Sequence, residues 1–252
     1  MSVTDVLFIT LAGLSAGAVN AIIGSGGLIL FPTLLALGYT PIVANVTSNV
    51  GVLPASFAGA FAYRKYFEGK YRLAIIGCIF AAVGGVMGAL LLLALPPEWF
   101  DAIVPLLIGM AVLLVIFGPT IKRAVLARSQ NSDQPDARMP LYLATWATGV
   151  YGGYFGAGMG IIALSYLSLM LRGGLQRANA YKNLLTGSGN FAAAVTFVFL
   201  ADIDWLAAII LAVSSLFGGL LGGKYGQRIP ETVFRVFIVI VGIAAIVYFV
   251  TR

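Results

Sequence analysis

Two glycine clusters and one polar helix stripe are where residue types and spacing suggest chemistry. Gly24-Ser25-Gly26-Gly27 interrupts an apolar run at 6–37, and Gly156-Ala157-Gly158-Met159-Gly160 interrupts another at 141–171. A helix broken at such a point leaves backbone N–H groups unpaired. The N-terminal end of the half-helix that follows carries about half a positive charge. Glycine lets those N–H groups approach a ligand closely and permits positive φ. One end built on Gly24, Ser25, Gly26 and Gly27, and a second on Gly156 and Gly158, would together cradle a small oxyanion without a charged side chain. The plainer alternative is that these glycines serve helix packing or a hairpin turn.

The stripe is Asn179, Asn183, Thr186 and Asn190, whose spacing of 4, 3 and 4 marks one face of a helix. Matching positions earlier in the chain give Asn45, Asn49, Val52 and Ser56, with Ser48 opposite Lys182. Amides in lipid need partners, so both faces must point into a bundle. There they either line a pathway or link helices at about 0.6 kcal/mol per contact. Lys182 borders the stripe and has two readings: it attracts an anion arriving from the cytoplasm, or it snorkels to the interface. Asn45, Asn49, Asn179, Lys182 and Asn183 therefore join the glycines as candidate substrate-binding residues.

What is missing narrows the chemistry further. The chain has no histidine and one cysteine, Cys78, which leaves no metal-ligand set, no cofactor site and no disulfide. No Asp or Glu lies inside an apolar run, so no buried carboxylate relay serves cations or protons, and a neutral or anionic substrate is favoured. Ser188, within Thr186-Gly-Ser-Gly-Asn190, would need Lys182 as its base. Six residues of helix place the two on roughly opposite faces, so an enzyme is not expected.

These residues must be positioned by membrane helices. Of 252 residues, 60% are apolar and only 10% are charged, against about 25% in a soluble domain, too few to cover a water-facing surface. The apolar runs are continuous and lack the alternation of barrel strands. The net charge of +6 lies in short loops between them, which signals membrane orientation rather than nucleic acid. No Lys or Arg precedes Arg64, so no cleavable signal peptide is expected at the start. Eight apolar stretches are predicted, at 6–37, 42–63, 73–95, 102–118, 141–171, 184–201, 205–223 and 233–250. The first and fifth are too long for one untilted crossing. A polar segment at 122–138 reads as a flexible cytoplasmic linker between membrane halves at 1–121 and 139–252.

The halves repeat one another. Gly17, Gly24 and Gly26 recur 132 residues later as Gly149, Gly156 and Gly158, and Ala44-Asn45-x-x-x-Asn49 recurs 134 later as Ala178-Asn179-x-x-x-Asn183. If every stretch crossed once, the basic loops flanking stretch five would lie on opposite faces. The conflict vanishes if stretch five re-enters from the cytoplasm and stretch one from outside. Each half then has three crossings, and the two halves are inverted. The expected fold is an all-α polytopic membrane protein of two inverted four-segment repeats with broken first and fifth helices.

Gly17-x6-Gly24-Ser-Gly26-Gly27 followed by Pro32, with Asn45-x-x-x-Asn49 and the second copy of both, resembles the sulfite exporter TauE/SafE family over nearly the whole chain. The second copy departs from the pattern at Leu164 and Ala157, which stand where the first has Pro32 and Ser25. The resemblance implies export of sulfite, sulfoacetate or other organosulfonates across the bacterial cytoplasmic membrane, driven by a coupling proton or the membrane potential. The expected partners are thus a small anion, the bilayer and a coupling proton. Homo-oligomerisation is left open.

Overall fold

The computed structural model describes residues 1–67, 71–129, 138–171, 174–225, 236, 238–244 and 247, with backbone only at 121–129. These residues form helices α1 (Val3–Ile22), α2 (Gly27–Ala36), α3 (Pro41–Ala62), α4 (Tyr71–Ala94), α5 (Pro97–Ser129), α6 (Arg138–Tyr154), α7 (Met159–Met170), α8 (Gly174–Leu200) and α9 (Trp205–Tyr225). Six helices are long and apolar enough to cross a membrane, and α2 and α7 are shorter apolar helices. The expected all-helical membrane fold is therefore observed. Most of the eighth predicted stretch, 233–250, lies outside the described residues.

Two boundaries differ from expectation. The segment expected to be a linker from Lys122 is helical through Ser129, because α5 continues past its apolar part. The sixth stretch, expected to start at 184, begins ten residues earlier as α8 at Gly174. Those extra residues include Arg177, Asn179, Lys182 and Asn183. Their polar side chains lower the hydropathy, yet all four are buried against the bundle.

Packing follows from size. In lipid, helices gain nothing by hiding apolar surface from one another, so close approach over small residues dominates their association. Along α4, Ile75, Ile79, Val83 and Met87 face outward while Gly77, Ala81, Gly84, Gly85 and Gly88 are buried. A Cβ on Gly84 or Gly88 would collide with the α6 backbone at Trp146 or Val150, and one on Gly85 with Gly189 of α8. The same construction recurs on α9. Gly218 and Gly222 abut Leu14 and Ala18 of α1, and Gly219 abuts Ala55 of α3. So α4 packs against α6 and α8, and α9 against α1 and α3.

The charged ends of the bundle are separated. Tyr39, just before α3, donates its hydroxyl proton to Asp204, just before α9, at 2.7 Å. The Asp204 N–H reaches Thr47 Oγ1 at 3.3 Å. Asp5 at the start of α1 acts electrostatically on Tyr39. A cleft of about 790 Å³ joins Tyr39 to Leu93, Pro97, Asp101, Ala201 and Asp202. Every described acid, namely Asp5, Glu98, Asp101, Asp202 and Asp204, is therefore at this acidic end. At the other end, Phe67 packs edge-on against Tyr181 with ring centroids 5.4 Å apart. Arg64, Lys65, Arg72, Arg138 and Lys224 are exposed in the segments there.

These contacts give α1–α2 and α6–α7 their course. The α1–α2 unit begins at the acidic end beside Asp5 and returns to it at Tyr39. The α6–α7 unit begins at the basic end and folds back beside itself, with Thr145 and Tyr166 hydroxyls 3.1 Å apart. Its last residues, Leu167 and Leu171, join Leu73, Leu141 and Tyr181 in one basic-end cluster. Both units are hairpins. Between them, α3 runs from the acidic to the basic end and α8 runs the reverse way.

Candidate functional site

The two hairpins end in closely similar turns. At the end of α1 the N–H groups of Ile23 and Gly24 both reach Val19 O, and at the end of α6 those of Phe155 and Gly156 both reach Tyr151 O. Such a wrap needs a left-handed residue, which glycine adopts without a Cβ clash. Gly24 has φ +81° and Gly156 has φ +78°. Tyr151 steadies the second tip by donating its hydroxyl proton to Ala157 O at 2.6 Å.

The tips touch each other. The Gly160 N–H donates to Gly24 O at 3.0 Å. A Cβ added to Gly24 would lie 2.5 Å from the Gly160 Cα, and one on Gly27 would lie 3.7 Å from the Ala157 Cα. Residues 24–27 and 157–160 thus run past each other inside the bundle, bringing together six of the expected site residues: Gly24, Ser25, Gly26, Gly27, Gly156 and Gly158. The matching is not complete at the next position. Gly158 has φ +77°, whereas Gly26 is right-handed at φ −57°. What Gly26 requires is space, since a Cβ there would lie 2.6 Å from Ala16 O and 2.9 Å from Asn20 Cβ.

The free donors differ in placement too. On α7 the N–H groups of Met159, Gly160 and Ile161 are taken by the carbonyls of Gly156, Gly24 and Gly158. At the start of α2 the N–H groups of Gly26 and Gly27 have no backbone acceptor among the described residues. Beside them Ser25 is 1% exposed, and its Oγ has no partner among the described residues. At the second tip the Ala157 and Gly158 N–H groups likewise have no backbone acceptor among the described residues, so both tips present free donors.

The stripe residues lie on α3 and α8, which cross inside the bundle. Gly59 of α3 leaves room for the Asn183 side chain, and Gly187 of α8 faces Ser56. On α3 most polar groups are satisfied. Asn45 Nδ2 donates to Tyr154 O at the second tip at 2.9 Å. Ser48 Oγ donates to Asn45 O, and Ser56 Oγ accepts from Asn20 Nδ2 at 3.0 Å. Asn49 Oδ1 lacks a partner among the described residues. On α8 the reverse holds. Asn179 Oδ1, Lys182 Nζ, Asn183 Nδ2 and Asn190 Oδ1 are all buried and all without a partner among the described residues. Lys182 is 0% exposed, which excludes snorkelling. A buried polar atom without a partner costs about 1–3 kcal/mol, so four on one helix face call for a ligand or water.

Two elements of the interior escaped the sequence reading. Asn20 braces α1 against α3; its spacing of 3 from Gly17 and 4 from Gly24 was the available signal. Thr145, Thr148 and Tyr166, with Thr186 and Asn190, line a cavity of about 10 Å³, room for one water.

At the acidic end the Tyr39–Asp204 contact joins the first hairpin to the α8–α9 turn. Burial, reinforced by Asp204, pushes the Tyr39 hydroxyl up to about 12. Asp204 is held below the usual carboxylate value: partial burial opposes this, but hydrogen bonds from the Ala207 and Leu206 N–H groups and from Tyr39 outweigh it. A carboxylate at the start of α9 is also favoured by the helix dipole.

Comparison with known proteins points the same way. Residues 9–249 match the family described as Sulfite exporter TauE/SafE. The chain is 25% identical to "Probable membrane transporter protein ORF9" of Sinorhizobium sp. across 94% of its own length and 89% of the relative's. It is 25% identical to a "Probable membrane transporter protein" of Haemophilus influenzae, covering 90% and 88% of the two chains. It is 26% identical to "Probable membrane transporter protein YfcA" of Escherichia coli K12, covering 90% and 82%.

Proposed function

The chain belongs to the sulfite exporter TauE/SafE family, and on that premise we propose a secondary transporter that exports small sulfur-containing anions, sulfite or organosulfonates, across the bacterial cytoplasmic membrane. That it is a multi-pass membrane transporter follows from its family, its relatives and its six crossing-length helices. The observation that carries the finer reading is a series of buried, unpartnered polar groups that runs from the hairpin tips to the basic half of α8. Ser25 Oγ and the Gly26 and Gly27 N–H groups lie at the first tip, and Lys182 Nζ and Asn183 Nδ2, with Asn183 against Gly59 of α3, lie toward the basic end; together they supply hydrogen bonds and one positive charge. The described interior contains no acid to repel an anion. An oxyanion with several oxygen acceptors complements such a donor set.

The same reading treats residues 1–121 and 139–252 as inverted copies. Hairpins that start at opposite ends, antiparallel α3 and α8, and the paired placements of α4 and α9 support it. Inverted halves with broken helices suit alternating access, in which one half rocks against the other around a fixed site. The basic end faces the cytoplasm by the positive-inside rule, so the anion is collected there and released at the acidic end.

The test is flux. Purified protein in proteoliposomes loaded with labelled sulfite or labelled methanesulfonate should release the label faster than empty liposomes, and unlabelled anion should compete. Flux no faster than in protein-free vesicles for every sulfur anion tried would reject the substrate class.

A further inference from the structure

The face of α8 that carries the unpartnered atoms also carries the one buried ammonium. Lys182 is fully buried, its Nζ has no hydrogen-bond partner among the described residues, and no described Asp or Glu stands anywhere but at the acidic end. Asn179 and Asn183 lie three residues before and one after it, so the three side chains occupy one side of the helix, about 100° wide. Both amides also have an unpartnered atom, Oδ1 of Asn179 and Nδ2 of Asn183. An unpaired buried charge is expensive, several kcal/mol even after relaxation, and breaking a buried pair is correspondingly destabilising. A group of this kind persists where something of opposite charge visits it. The protein itself offers nothing of that kind among the described residues.

We propose that Lys182 is the counter-charge of the transported anion and that its single ammonium fixes the charge class of the substrate. This rests on the reading of the protein as an anion transporter. A monoanion beside Lys182 makes a neutral pair inside the bundle. A dianion leaves one negative charge uncompensated there, because the other unpartnered donor on that side of α8, Asn183 Nδ2, is a neutral dipole. The carried species are then monoanions, meaning organosulfonates with one charge and the hydrogensulfite form of sulfite, and dianions such as sulfate or a disulfonate are rejected. Arg177, the other buried cation of this helix, lies five residues earlier, in the second turn, with its guanidinium 5.8 Å from the Tyr181 ring centroid. It is placed closer to the basic end than Asn183.

The experiment measures binding in detergent, at one pH and constant ionic strength, by competition against labelled methanesulfonate and, separately, against labelled acetate. Two matched pairs are used: methanesulfonate against ethane-1,2-disulfonate, and acetate against malonate. In wild type each monoanion should outcompete its dianion partner by about 100-fold or more, equivalent to about 2.7 kcal/mol. Lys182→Met and Lys182→Gln, checked for monodispersity, should each lose affinity for the monoanions by about 100-fold and lose the charge preference with it. Equal competition by monoanion and dianion in wild type would overturn the assignment. So would unchanged affinity and preference in both Lys182 variants. If sulfonates fail to bind while the acetate–malonate pair shows the preference, the sulfur-anion reading fails and the role of Lys182 stands. If no anion binds at all, both are rejected.

Discussion

The contact between hairpin tips can be tested with four glycine substitutions whose costs differ for separable reasons. Gly38 and Gly24 both have positive φ, +90° and +81°. A Cβ on Gly38 meets nothing within 4 Å, so Gly38→Ala isolates the price of left-handed backbone, about 1–2 kcal/mol. Gly24→Ala carries that cost and more. Its Cβ would lie 2.5 Å from the Gly160 Cα, where carbon pairs prefer about 3.5–4.0 Å. The opposing backbone must retreat by about 1 Å, an overpacking cost of about 1–3 kcal/mol. The Gly160 N–H to Gly24 O bond is stretched with it, losing about another 1 kcal/mol. The sum is about 3–6 kcal/mol. Gly27→Ala makes an ordinary 3.7 Å contact with Ala157 and should stay within about 1 kcal/mol of wild type. Gly160→Ala should resemble Gly24→Ala without the backbone penalty. Thermal unfolding in detergent and anion efflux from proteoliposomes would be measured on all four. The expected order of stability is Gly27→Ala above Gly38→Ala above Gly24→Ala, with efflux lost only in the two tip variants. Gly24→Ala as stable as Gly38→Ala, with normal efflux, would mean the tips do not touch.

Three further outcomes follow from named contacts. Asn45→Ala removes the donor to Tyr154 O and should lower stability by about 1–3 kcal/mol, whereas Asn45→Asp, which can only accept, should not restore it; equal stability of Asn45→Ala and wild type in thermal unfolding contradicts this. Tyr39→Phe should cost about 1–2 kcal/mol at neutral pH, since the hydroxyl bonds an ionised carboxylate. Because the folded-state value of Asp204 is depressed, its contribution is present above the unfolded carboxylate value and is lost as pH falls through the folded one. Unfolding curves of the two proteins should therefore converge below about pH 4. In a Cys78→Ala background, single cysteines at Thr40 and Asp202 should react with an impermeant thiol reagent in intact cells, and those at Lys65 and Arg138 should react only after permeabilisation. Labelling of Thr40→Cys and Arg138→Cys from the same side would break the hairpin course.

Much of this architecture was legible in the sequence because lipid imposes simple rules. Length and hydropathy located the crossing helices, and the glycine clusters marked both breaks. Loop charge alone implied that 6–37 and 141–171 turn back, which the Tyr39–Asp204 and Thr145–Tyr166 contacts bear on directly. The start of α8 was hidden because Arg177, Asn179, Lys182 and Asn183 lower the hydropathy of a segment whose polar side is enclosed by protein rather than wet. For the same reason snorkelling stood as one of two readings of Lys182. The pairing of Gly24 with Gly160 joins positions far apart in the chain, and no local spacing announces it. Nor could spacing reveal that Gly26 and Gly158, equivalent by position, differ in backbone hand. The difference accompanies a tertiary contact: the Gly160 N–H turns to Gly24 O, whereas the equivalent Leu28 N–H bonds Ser25 O within its own tip.

If the unpartnered face of α8 holds the anion, bound substrate must shield a reporter placed on it. Asn183→Cys in a Cys78→Ala background would be reacted with a small negatively charged thiol reagent in proteoliposomes, with and without saturating methanesulfonate. Ala192→Cys, on the same helix near its acidic end and off the polar face, serves as the comparison. Asn183→Cys should react, and methanesulfonate should slow its labelling several-fold, while Ala192→Cys is unaffected by the sulfonate. An Asn183→Cys that never reacts, or one that labels at the same rate with and without methanesulfonate while wild-type flux is saturated, would contradict anion binding on that face.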